Sequence, residues 1–272
     1  MQQFSISPFA LASTLWRNRE LIGTLTKREV IGRYKGSFLG LLWSLFNPLF
    51  MLLVYSFMFS VVFKSRWPGG GESKAEFALI LFSGLMVFNL FSEAVNRSPS
   101  LILSNVNYVK RVVFPLEILP AVALGAVMFH FVVSFMAWLC FYVLFIGTPP
   151  MTALLFPLVL LPFVFVVLGV TWFLAAIGVY LRDVSQVIGI ITTALMFLTP
   201  VFYPASSLPP DYRLLITLNP ITPVVETARN VLIWGKLPDL YPALLYSAFS
   251  LLVAWFGFAW FQKTRKGFAD VL

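Results

Sequence analysis

Acidic side chains, histidine and cysteine are few in this chain, and those within its apolar stretches stand apart from one another. Glu93, Glu117 and Asp183 each lie singly between apolar runs. Metal–pyrophosphate or hydrolytic chemistry needs several acids or histidines converging on one point. His130 stands alone on an apolar stretch and reads as a residue that hydrogen-bonds between helices. Cys140 is the only cysteine, so an internal disulfide is excluded. The chain has no H-E-x-x-H, no Cys/His cluster and no nucleophile motif. Gly69-Gly70-Gly71-Glu72-Ser73-Lys74 invites comparison with a phosphate loop, yet it lacks the G-x-x-x-x-G-K-[ST] spacing and reads as a flexible link.

Aromatic rings are the positive signal, at 17% of the residues with 29 Phe. Trp43, Phe46, Phe50 and Phe57 fall on one helical face by the 3.6-residue period. Phe197, Phe202 and Tyr203 crowd the end of a later apolar run. Such faces offer a polyhydroxylated sugar a surface for its C–H groups, with Tyr and Trp edges for its hydroxyls. Phe is also ordinary packing and lipid-facing material, and Trp and Tyr collect at membrane interfaces. Spacing alone leaves both readings open.

The elements that carry these residues are membrane helices. With 60% hydrophobic residues, 11% charged and a mean hydropathy of +0.89, the composition is far from the roughly 25% charged of a soluble domain. It predicts an all-α, polytopic membrane protein. Six spans are expected, at 39–63, 77–95, 116–146, 152–181, 184–203 and 240–261. Residues 1–38 place Leu11, Leu15, Ile22 and Leu25 on one face, with Arg17, Glu20, Lys27 and Arg28 opposite. That pattern predicts an amphipathic helix lying along the membrane surface, with Gly23 as a place for a bend. No short apolar region with a cleavage site precedes the first span, so a removable signal peptide is not expected.

The net charge of +8 is a topology signal and not a nucleic-acid footprint. Six basic residues lie in 1–38, three in the 96–115 loop, one at Arg182 and three after the last span, thirteen in all; the opposite side carries six. The positive-inside rule then puts both termini in the cytoplasm of a multi-pass protein of the cell (inner) membrane.

Two connections are too apolar for simple loops. Residues 204–239 hold two short apolar runs, Tyr212–Leu218 and Val224–Trp234, around Asn219-Pro220-Ile221-Thr222-Pro223. Each is long enough to cross about half a bilayer, which predicts a re-entrant helical hairpin on the outer side between the fifth and sixth spans. Glu226 and Arg229, three apart, either pair on its surface or meet a passing substrate. Thr199–Pro204 is the expected outer gate. In the 96–115 loop, Ser98 with Pro99 predicts a short capped helix that ends at Asn105 or Asn107. It would form a docking knob through Arg97, Ser98, Leu101, Ser104 and Asn105. The spans carry no acid at the expected midplane, so the energy for transport should come from a partner.

Several blocks, in order, resemble one family. They are Arg33-Tyr34-Lys35-Gly36-Ser37-Phe38-Leu39-Gly40 leading to Trp43 and Asn47-Pro48, then Val112-Val113-Phe114-Pro115-Leu116-Glu117-Ile118-Leu119-Pro120, then Arg182-Asp183-Val184. Leu198-Thr199-Pro200-Val201-Phe202-Tyr203-Pro204 and Asn219-Pro220 complete the set. The chain resembles the membrane subunit of ABC-2-type polysaccharide exporters, the permeases for O-antigen, capsule or teichoic-acid chains. The resemblance implies a homodimer with two copies of a separate nucleotide-binding ATPase, which would use the ATP and Mg; no cofactor is expected in this chain. It makes the 96–107 segment a coupling helix. The first and fifth spans would line a channel at the dimer interface, and a lipid-linked glycan would pass through it. Membrane lipids are the other expected contact. An ABC-2 exporter of a lipid or small molecule, or a membrane-embedded glycosyl- or polyprenyl-transferase, are the alternatives.

Overall fold

The computed structural model describes residues 5–40, 42–62, 67, 73–110, 114–212, 216 and 218–272. Helix accounts for 82% of the structure, and no strand occurs among the described residues. At the start lie α1 (Pro8–Arg17) and α2 (Arg19–Tyr34). Ser7 caps α1 by accepting from the Phe9 N–H, with Pro8 in the first turn. The break between the two helices is at Asn18 and not at Gly23. There the Asn18 amide donates to the Thr14 carbonyl at 2.8 Å and closes the first helix.

Next comes α3 (Leu42–Ser56), which continues through a π-helical turn, Phe57–Val62. Then follow α4 (Lys74–Arg97), a run of short turns ending in α5 (Val106–Lys110), α6 (Leu119–Phe145), α7 (Phe156–Tyr180) and α8 (Val184–Leu198). The chain closes with α9 (Thr222–Leu232), α10 (Leu240–Thr264) and α11 (Phe268–Val271). Among the described residues four helical stretches, built on α4, α6, α7 and α10, are long and apolar enough to cross a membrane, whereas α3 and α8 are shorter. The stretch expected to span 184–203 stops being helical at Leu198. Thr199 is extended (φ −86°, ψ 139°), as the crowding of Pro200 against its neighbour requires.

The long helices alternate in direction. One end of the bundle therefore gathers Arg97, Glu117, Tyr180 and Arg265, where the Tyr180 hydroxyl donates to the Thr264 carbonyl and Arg265 pairs with Glu117 at 2.5 Å. This is the basic end. At the far end Thr152 donates to the Val231 carbonyl at 2.7 Å, seating α9 beside the start of α7. Helix α4 is the core, buried almost without interruption from Phe77 to Val95. By contrast α3 has only Leu52, and α8 only Ile188 and Thr192, buried among their described residues.

Close approach holds α7 to α10. A Cβ added to Gly257 would lie 2.0 Å from the Gly169 carbonyl oxygen, and one on Gly169 would lie 2.4 Å from that of Val253. Apolar side chains gain little from leaving lipid, so small residues that let backbones touch are what join such helices.

Gly257→Ile is expected to force α7 and α10 apart. Overpacking costs about 1–3 kcal/mol, to be read as a lower unfolding temperature of the detergent-solubilised protein. Gly23→Ala, with open space around it, should leave that temperature unchanged or slightly raised.

Candidate functional site

The uncovered face of α3 carries the aromatic stripe. Trp43 meets Phe46 edge-on at 5.4 Å, and Phe46 stacks on Phe50 at 5.9 Å. Phe50 and Phe57 are half exposed. On α8, Phe197 is exposed and packs against Phe202 at 5.9 Å, but Phe202 itself is only 7% exposed. Tyr203 is half-buried, and its hydroxyl donates back to the Phe197 carbonyl at 2.9 Å. Both α3 and α8 pack against α4. Six of the seven aromatics therefore keep an accessible ring, while Phe202 plugs into the core.

Behind α3, a cavity of about 390 Å³ opens against α4 and α6. Four side chains at its basic end form a chain of contacts. The Glu93 carboxylate is paired with Arg33, and His130 Nδ1 lies 2.9 Å from Glu93 Oε1. His130 Nε2 lies 2.9 Å from the Tyr34 hydroxyl. This suits the Nδ1–H tautomer, donating to Glu93 while Nε2 accepts from Tyr34. Burial holds the Tyr34 phenol above its ordinary value against the opposing pull of Arg33, so at neutral pH it keeps the proton it donates. Thus His130 does join helices, with a carboxylate and a phenol as partners that its position in the sequence did not disclose. Arg33 and Tyr34 come from the elbow between α2 and α3, so the elbow is tied to the bundle.

A second knot sits at the far end. Arg229 on α9 is only 1% exposed. It donates to the carbonyls of Pro200 at 2.6 Å and Val201 at 2.7 Å, just beyond the end of α8, and its Nε approaches the Ile80 carbonyl of α4 at 3.4 Å. Glu226 pairs with it at 3.0 Å, and the Trp67 ring lies 4.3 Å from its guanidinium carbon. Gly84 leaves it room, since a Cβ there would sit 2.6 Å from Nη2. Asn219 adds to the knot by donating to Thr199 Oγ1 at 2.8 Å and accepting from the Ile221 N–H. Glu226 and Arg229 do pair, but Arg229 points into the protein and not along a surface. Of the two apolar runs expected in 204–239, the second forms α9; most of the first, Tyr212–Leu218, lies outside the described residues.

The 96–107 segment is not one capped helix. It is two 3-10 turns, Ser98–Ser100 and Leu103–Asn105, running into α5. Its hydroxyls explain this: Ser98, Ser100 and Ser104 each bond backward to a carbonyl three or four residues earlier, where a cap would bond forward. Ser98 and Leu101 are buried, Asn105 is half-buried, and Arg97 is paired with Glu29 of α2. Ser100, Ser104 and Asn107 are exposed. Pro99 lies so close to α7 that a Cβ on Gly178 would be 2.0 Å from its carbonyl oxygen.

Comparison with known proteins adds the family. The model of the ABC-2 type transporter family matches residues 20–233. The O-antigen export system permease of Myxococcus xanthus is 31% identical over 96% of this chain and 98% of its own length. One from Klebsiella pneumoniae is 24% identical over 93% of this chain and 95% of its own. The polysialic acid transport protein of Escherichia coli is 25% identical over 90% of this chain and 93% of its own.

Replacing Arg229 by Met leaves Glu226 without its partner and the Pro200 and Val201 carbonyls without their donor. The expected loss is about 3–5 kcal/mol, measured as the fall in thermal unfolding in detergent. Glu226→Gln keeps an acceptor for Arg229 but removes the counter-charge of a buried guanidinium, and should cost less than the Arg229 change, about 1–3 kcal/mol.

Proposed function

Because the chain belongs to the ABC-2 type transporter family, we propose that it is the permease subunit of an ATP-driven exporter of a lipid-linked polysaccharide. Two copies form a channel at their interface, and two copies of a separate nucleotide-binding subunit drive it. The observation that carries the reading is the contrast within the bundle. Helices α3 and α8 rest on α4 by a thin line of buried residues and leave their aromatic side chains uncovered. Apposing two such faces encloses a passage walled by rings, which suits a hydroxyl-rich chain sliding through. The names of the relatives, O-antigen export permeases and a polysialic acid transport protein, support a polysaccharide cargo.

The bundle's basic end faces the cytoplasm on this reading, with both termini and the α1–α2 pair at the inner surface. The exposed Ser100, Ser104 and Asn107 form the docking face for the ATPase. Arg97, Ser98, Leu101 and Asn105 hold that face in place from behind. The 204–239 segment forms the channel's outer mouth. ATP and Mg belong to the partner, and this chain carries out no covalent chemistry.

Vesicles holding this chain and its ATPase should export glycan only with ATP; export by the chain alone on an ion gradient sinks the reading, and export of a small molecule in place of glycan favours a different cargo. In the same vesicles, Phe50, Phe57 and Tyr203 all changed to Ala should slow glycan export about tenfold while ATP hydrolysis is retained. Ser104→Trp should weaken co-purification of the ATPase or uncouple hydrolysis from export. Normal values for both would remove Ser104 from the docking face.

A further inference from the structure

Asn89 is the exception on α4. From Phe77 to Val95 every other residue is buried or half-buried, yet Asn89 is exposed, and its amide has no hydrogen-bond partner among the described residues. It lies about 12 Å along the helix from Arg97, at 1.5 Å per residue. An amide facing hydrocarbon at that depth costs several kcal/mol, so it must meet water or a ligand. It faces the cavity of about 390 Å³ behind α3, room for about a dozen waters at ~30 Å³ each.

We propose that this cavity is a subsite for an uncharged, hydroxyl-rich sugar unit, reached through Asn89, Ser134 and the carboxylate–histidine–tyrosine chain, with Trp43 as a stacking wall. The inference rests on the export reading and adds the place where the glycan is held. Three observations point to a sugar in preference to a phosphate. First, Glu93 is already met by Arg33 and His130, so the pocket has no surplus positive charge, and a diphosphate would bring its own negative charge against that carboxylate. Second, the wall mixes donors and acceptors: the free Asn89 amide supplies both, and the Ser134 hydroxyl, which donates to the His130 carbonyl at 2.9 Å, can still accept. Sugar hydroxyls also act in both roles, whereas phosphate oxygens call for donors alone. Third, Trp43 lines the same cavity and brings an aromatic ring, the kind of surface on which sugar C–H groups rest.

The experiment uses the complete permease–ATPase complex carrying Cys140→Ser with Asn89→Cys, and follows maleimide labelling at position 89. Two probes are compared: oligosaccharide released by mild acid from the surface polysaccharide of cells that express the chain, and inorganic pyrophosphate. At several times its dissociation constant the oligosaccharide should slow labelling about fivefold, with pyrophosphate having no effect. Protection by pyrophosphate makes the pocket a diphosphate site and overturns the proposal, as does protection by neither probe. In cells, Asn89→Leu and Ser134→Val should each lower surface polysaccharide severalfold at an unchanged amount of the chain in the membrane; wild-type levels with both overturn it as well. Deleting the chain separates the two readings. If surface polysaccharide is lost on deletion but position 89 is unprotected, the subsite alone fails; if it persists on deletion, the export reading fails with it.

Discussion

A buried guanidinium holds the far end of this protein together. Helix α8 stops at Leu198, and the turn beyond it leaves the Pro200 and Val201 carbonyls in a place water does not reach. In a bundle of this kind an unpaired carbonyl is expensive, and the helix that would have satisfied it is absent. Arg229 supplies the missing donors from α9, and its third contact, to Ile80, ties both elements to α4. The charge costs energy to bury, and it is met by Glu226, three carbonyls and the Trp67 ring. Broken helix, inserted helix and core helix are thus parts of one hydrogen-bonded unit. Arginine suits this junction because its planar fork reaches separate carbonyls at once, which a single ammonium does less well.

The bundle divides into a packed half and an open half. Helices α4, α6, α7 and α10 meet through buried apolar faces and, at Gly169 and Gly257, through backbone contact. Helices α3 and α8 touch that block along narrow lines, with polar links where apolar packing is thin. Asn96 joins Ser92 to Thr192 of α8, accepting from Thr192 at 3.0 Å, and the Glu93–His130–Tyr34 chain reaches the elbow before α3. Hydrogen bonds of this kind hold a helix in register while leaving its other face uncovered.

Ion pairs organise the basic end. Glu29 with Arg97, Glu93 with Arg33, and Glu117 with Arg265 each join segments far apart in the chain. Helix α2 thereby grips the start of the 96–107 segment, and the same segment rests on α7 through Pro99 and Gly178. A push on the exposed serines of that segment meets rigid contacts on two sides, to α2 and to α7.

Hydropathy was enough to read the class and the approximate helices, because the cost of exposing backbone or charge in a membrane is written along the chain itself, and the family was legible in the ordered blocks from Arg33–Gly40 to Asn219-Pro220. The aromatic period of α3 was legible for the same reason: helical spacing is local. Other features depended on distance in sequence. That Glu93 finds His130 and Arg33, that Arg229 turns inward, and that Ser98 is buried while Ser104 is not all follow from which helices lie beside which. Local pattern also misjudged the ends. The 184–203 run carries no charge and is mostly apolar but loses its helix before Pro200, and the serines of the 96–107 segment bond backward and break it into turns. Asn89 is the clearest case. In the sequence it is one polar residue in an apolar run, and only the gap left between α3, α4 and α6 makes it the free amide of a cavity.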